Sequence, residues 1–264
     1  MGRKSSSNAR SAPARARRVL SSVVELVALV MVPVVLAVCA VLRFEQAALL
    51  SILVVAASLV LFFAGYEKGR PRLRDTMPVA VLAAVAAAGR ILFAPIPDFK
   101  PVSAIAIIAG AAFGRRSGFM VGALAAFVSN LFFGQGPWTP WQMYGWGLVG
   151  YLGGVLAAAG LFGSVEPDLC ASRARKVARL VPLAIWGIVS GYVYGLVLNL
   201  WSVIGFYHPQ DISQILVVYA AALPFDTLHG VATAFFLLVL YRPWLRKLAR
   251  IRRKYALHAG EQGA

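Results

Sequence analysis

Asp226 and His229 lie three residues apart inside an apolar run that extends from Ser213 to Tyr241. Residues at that spacing share one face of a helix, and at about 1.5 Å per residue Asp226 lies about 20 Å along it, well inside a bilayer. An ionisable pair at that depth is a candidate for holding a polar solute. Its structural alternative is a helix-stabilising ion pair, with Arg90 as the available partner. Pro224, two residues before Asp226, is expected to free a backbone carbonyl one turn earlier and bend the helix there.

Two asparagines extend stripes of small residues spaced by four. Gly118, Gly122 and Ala126 lead to Asn130, and Gly187, Gly191 and Gly195 lead to Asn199. A third stripe is Ala80, Ala84 and Ala88, with Ala83 and Ala87 beside it, and Gly150 and Gly154 form a shorter one. Small residues at this spacing let helices in lipid approach closely. An amide on a packed face needs a partner, so Asn130 and Asn199 either line a polar pocket or form interhelical hydrogen bonds.

The segment Phe132–Gly145, FFGQGPWTPWQMYG, concentrates Gly134, Gly136, Pro137 and Pro140, which disfavour regular helix. It reads as a turn presenting Gln135, Trp138, Trp141 and Gln142. Tryptophans at a membrane edge serve as interfacial anchors, whereas aromatic faces beside amides also suit a large, partly apolar ligand. The stretch Ala94–Pro101, APIPDFKP, is its counterpart, with three prolines holding Asp98 and Lys100 over the same mouth.

Other chemistries are absent from the sequence. No G-x-x-x-x-G-K-[ST] loop offers ATP hydrolysis, and no H-E-x-x-H or cysteine cluster offers a metal site. Ser190 precedes Gly191 and His229 lies in another apolar run, but Ile188 breaks the G-x-S-G pattern of rhomboid-like serine proteases. A channel filter repeated by symmetry is not required by anything present. No catalytic residue and no cofactor are expected. Cys39 and Cys170 are too few for a disulfide framework.

The elements that position these residues follow from composition. Of 264 residues, 60% are hydrophobic and 14% charged, and mean hydropathy is +0.75, well above a soluble domain. The expected fold class is all-α, a polytopic membrane protein. Apolar runs at Val19–Leu42, Ala47–Ala64, Met77–Phe93, Val102–Phe113, Gly118–Phe133, Trp141–Phe162, Leu180–Gly205 and Ser213–Tyr241 give about eight spans. The first is too long for a signal-peptide core. The run Val102–Phe113 is short for a bilayer, so its helix either extends further or sits shielded by neighbours.

The formal charge of +16 would suggest nucleic acid in a soluble protein. Here a cytoplasmic head places all but Arg43, Arg90 and Lys100 of the 26 basic residues inside. The positive-inside rule then puts both termini in the cytoplasm, facing anionic lipid, and no nucleic-acid partner is expected. The expected organisation is a basic head at 1–18, a helix pair at 19–65, a six-span core at 77–241 and a basic tail at 242–264. Pro71 and four basic residues in Tyr66–Thr76 mark the boundary between pair and core.

The stretches AVLAAVAAAGRILFAPIPDFKP and AFGRRSGFMVGALAAFVSNLFFGQGPWTPWQMYGWGLVGYLGG resemble substrate-binding S components of energy-coupling-factor (ECF) vitamin transporters. The resemblance covers about Met77–Tyr241, and the GQGPWTPWQ turn is similar to the cobalamin-associated subgroup. It implies a six-helix core, capture of a vitamin, cobalamin or a related corrinoid favoured, at the outer face of a bacterial cell membrane, and no catalysis by this chain. It also implies docking onto a membrane T subunit served by two ATPase subunits, which use the ATP. In such proteins an A-x-x-x-A arrangement on the first core helix contacts the T subunit, matching Ala80, Ala84 and Ala88. The leading helix pair departs from the six-span pattern. The competing expectations are a membrane scaffold or sensor without transport, or an S component for a different micronutrient.

Overall fold

The computed structural model describes residues 73–162, 180–207 and 209–255, together with individual residues between Val23 and Tyr66. Six helices are continuous: α1 (Leu73–Leu92), α2 (Val102–Phe113), α3 (Arg115–Phe133), α4 (Thr139–Ala158), α5 (Val181–Ser202) and α6 (Ile212–Lys254). No strand occurs among the described residues. Among the described residues four helices, Asp75–Leu92, Arg115–Phe133, Val181–Tyr207 and Ile212–Lys254, are long and apolar enough to cross a membrane. The protein is an all-helical polytopic membrane protein. The head at 1–18, the basic loop around Cys170, Cys39 and the end of the tail lie outside the described residues.

Helix α2 is the axis of the bundle. It keeps the limits of its short apolar run, and every residue except Ala111 is buried because α1, α3, α4 and α6 all pack on it. Twelve residues span about 18 Å, too little to cross hydrocarbon about 30 Å thick. Of the two sequence alternatives, shielding by neighbours is the one realised. Near its C-terminus the Arg252 guanidinium donates to the Ala112 carbonyl at 3.2 Å, and a single residue, Gly114 at φ 95°, turns the chain into α3. That left-handed backbone is open to glycine at little cost.

The glycines decide how closely α2, α3 and α4 approach. A Cβ on Gly110 would strike the Gly150 carbonyl, one on Gly118 would strike the same carbonyl from α3, and one on Gly122 would strike the Trp146 backbone. The stripe Gly187, Gly191 and Gly195 makes the equivalent seam between α5 and α6, against Ala234, Gly230 and Asp226. These two stripes serve packing within the chain. Ala80, Ala84 and Ala88 behave oppositely. They are exposed on α1 together with Met77, Val81 and Val85, while Ala83 and Ala87 face inward.

Two local expectations are corrected. Pro140 does not interrupt helix; it occupies the first turn of α4, where a missing N–H costs nothing and the fixed φ suits the helix. Trp141 and Gln142 are therefore helical and the turn ends at Trp138. The last helix does not stop near Tyr241 but continues to Lys254, through Pro243, over 43 residues. Its start is capped by the Asp211 side chain, which accepts from the Gln214 N–H. Helix α5 ends in a π-helical turn, Val203–Tyr207, which the sequence did not announce.

Candidate functional site

The end of the bundle where α1 passes into α2 gathers a connected set of polar side chains. Arg90, near the end of α1, turns inward rather than toward lipid. Its Nη1 donates to Ser129 Oγ at 2.7 Å and to Asn130 Oδ1 at 2.6 Å on α3. Asn130, 1% exposed, uses its amide nitrogen on α4, donating to Gln142 Oε1 at 2.8 Å and Thr139 Oγ1 at 3.1 Å. Thr139 donates in turn to Gln135 Oε1 at 2.9 Å, and Gln135 donates to the Phe127 carbonyl. Asn130 thus joins three helices.

A column of flat groups runs from Arg90 across the bundle. The guanidinium lies 4.8 Å from the Trp146 ring on α4 and 4.7 Å from Phe133. Trp146 stacks on Tyr194 of α5 at 4.8 Å and 18°, and Tyr194 stacks on His229 of α6 at 4.8 Å and 10°. His229 Nε2 and Ser103 Oγ in the first turn of α2 are hydrogen-bonded at 2.8 Å. Stacking of this kind contributes beyond simple area burial. Replacing Ser103 with alanine should strand the imidazole nitrogen and lower stability by about 1 kcal/mol. Denaturant titration in detergent measures this, and an unchanged midpoint would show that the bond carries no net weight.

Asp226 takes a separate partner. Asn199 Nδ2 donates to its Oδ2 at 3.0 Å, and Gly195 leaves room for the carboxylate against α5. The ion pair between Arg90 and the Asp226–His229 face is not formed, so the two residues engage different helices. Both asparagines make interhelical hydrogen bonds. The site nevertheless stays electrostatically connected: Asp98 acts on Lys100, Tyr194 and Asp226, and Lys100 acts on His229.

The Ala94–Pro101 loop is pinned, not free. Phe99 packs against Phe93, Phe235 and Phe236 at centroid distances of 5.2–6.1 Å, which holds Asp98, at φ 50°, and Lys100 over the column. Burial pushes the Lys100 ammonium below its ordinary pKa; Arg90 pushes the same way and Asp98 opposes.

Of the nine residues expected to bind substrate, Asn130, Gln135 and Gln142 join one network, and Asp98, Asn199, Asp226 and His229 lie around it. Trp138 is half-buried with its ring against Gly136. Trp141 is placed elsewhere. It is fully buried and packs on Trp201 at 5.8 Å, in an apolar cluster with Leu29, Val32, Val55 and Leu59. The Tyr144 hydroxyl donates to the Leu29 carbonyl at 2.7 Å in the same region, so residues of the leading segment cover this aromatic face. Sequence reasoning passed over Arg90, Trp146 and Tyr194 as site residues. Arg90 carried a signal, being one of three basic residues left away from the cytoplasmic side; the two aromatics, inside apolar runs, carried none.

Among the described residues no group of three or more His, Cys, Asp or Glu side chains is arranged to hold a metal ion. Residues 70–252 match the model of a family of unknown function, DUF6580. No curated protein and no solved structure matches the chain.

Proposed function

We propose that this chain, which belongs to the DUF6580 family of unknown function, is the substrate-capture subunit of an ECF-type vitamin importer. The observation that carries the reading is the gathering of Arg90, Asn130, Gln142, Trp146, Tyr194, Asp226 and His229 at one end of the bundle, under a loop bearing Asp98 and Lys100. Amides, aromatic faces and both signs of charge suit a large polar solute. Cobalamin or a related corrinoid remains the favoured vitamin, on the resemblance of the GQGPWTPWQ turn.

The proposed architecture is a six-helix core preceded by a helix pair, about eight spans, with both termini in the cytoplasm. The work of the subunit is binding without chemistry: the ligand enters from outside, and reorientation against a T subunit delivers it inward, with two ATPase subunits supplying the energy. The outward-facing Ala80, Ala84 and Ala88 support a docking face on α1. A thermal-shift and mass-spectrometric screen of the protein, purified without ligand, against cobalamin, cobinamide and other water-soluble vitamins tests capture. A single tight hit lost in Trp138→Ala is expected. Ala84→Trp should abolish uptake and leave that binding intact; loss of both would sink the docking face.

One observation favours a second reading. The amides and carboxylate of Asn130, Asn199 and Asp226 all have protein partners, as in a scaffold or sensor whose polar groups serve packing. Ligand-dependent uptake excludes it.

A further inference from the structure

We infer that Arg90 anchors an anionic group of the captured solute, a carboxylate or a phosphate. The inference rests on the capture reading for its solute and on the geometry of Arg90 for its chemistry.

An arginine two residues from the end of a membrane helix ordinarily extends outward to the interface. Arg90 does the reverse, reaching Ser129 and Asn130, which are 0% and 1% exposed. Both are neutral acceptors, so the positive charge is oriented without being neutralised. Among the described residues no carboxylate forms an ion pair with it. Asp226 is engaged by Asn199, and Asp98 lies near enough to Lys100 to act on it. The Phe133 and Trp146 faces offset part of the cost of a cation in low dielectric, and Lys100, close enough to interact with Arg90, adds a charge of the same sign.

The free edge of the guanidinium is the informative one. Both hydrogen bonds leave from Nη1, so of the five N–H groups of an arginine, those on Nη2 and Nε reach no acceptor among the described residues. Neither nitrogen is among the fully buried polar atoms left without a partner, and Arg90 is only partly buried. Nε with Nη2 is a planar fork that matches two oxygens of a carboxylate or phosphate. A cation whose Nη1 is fixed by the protein, which lies against two rings and whose Nε–Nη2 edge meets no acceptor among the described residues is set to receive two oxygens.

The test uses the full chain in maltoside detergent, free of phospholipid, with sodium phosphate and sodium acetate as probes at constant ionic strength against sodium chloride. Both probes should raise the thermal midpoint saturably. Arg90→Gln should abolish the rise, and Arg90→Lys, which keeps the charge and loses the fork, should weaken apparent affinity about tenfold. Size-exclusion chromatography establishes that the variants are folded; should Arg90→Gln not fold, the Arg90→Lys titration decides. No rise in the parent protein, or a rise unchanged in Arg90→Gln or Arg90→Lys, overturns the assignment. A rise produced by phosphatidylglycerol micelles but by neither salt assigns the site to a lipid headgroup and overturns it for a solute. The vitamin screen fails independently: an Arg90-dependent anion response without any vitamin hit sinks the capture reading alone, whereas a neutral vitamin bound without an anion response sinks the anchor alone.

Discussion

Gly150→Leu is expected to leave little folded protein, or protein less stable by about 3 kcal/mol. The position sits where α2, α3 and α4 meet. A Cβ there strikes the Gly118 carbonyl and reaches the Ala106 methyl at 3.1 Å. The main obstacle is backbone, which cannot rotate aside as a side chain can. Room can be made only by moving α3 away from α4, and that also loosens the seam in which Gly118 and Gly110 of the central helix both approach the Gly150 carbonyl. Ala88→Leu, on the exposed face of α1, adds a similar volume and should be neutral within about 0.5 kcal/mol. Thermal unfolding of the two in one detergent is the comparison, and equal midpoints would show that the glycine seam does not hold the bundle.

Asn130→Ala should cost about 3 kcal/mol and any ligand capture with it. The amide is the one side chain that accepts from Arg90 while donating to both Thr139 and Gln142, so its removal leaves a cation and two neutral polar groups short of partners. Asn130→Asp separates the two roles. A carboxylate at 130 still accepts from Arg90 and gives it the counter-charge it lacks, at the expense of the two donated bonds. That variant is expected to be more stable than Asn130→Ala and to bind neither phosphate nor acetate. An aspartate variant that still responds to both anions would mean that Arg90 is not where they bind.

Much of the fold was legible because the bilayer demands long apolar runs, and α2 matches its run at both ends. Errors fell where a residue has two legitimate contexts. Proline breaks a helix interior but is at home in the first turn, and from sequence Pro140 fits either; its neighbours Trp141 and Gln142 were accordingly read both as part of a turn and as the start of an apolar span. The α6 helix outran its apolar stretch because a basic surface with Leu245 and Leu248 buried beneath it continues a helix as well as lipid does.

The small-residue stripes were visible, yet spacing alone could not separate those packed internally, through Gly118 and Gly191, from the exposed one at Ala84. The site was half legible. Asn130, Asp226 and His229 stand out as polar groups in apolar surroundings. Arg90 was weighed only as a partner for Asp226, whereas its contacts are with Ser129, Asn130 and two rings, which depend on how α1 faces α3 and α4.

The brevity and burial of α2 also bear on how the chain enters a membrane. A segment of twelve residues offers the insertion machinery too little apolar length to partition sideways on its own. It must wait beside the translocon until α3, joined to it by Gly114 alone, arrives to carry it in. The central helix is thus among the earlier core segments to be synthesised and among the later ones to be secured.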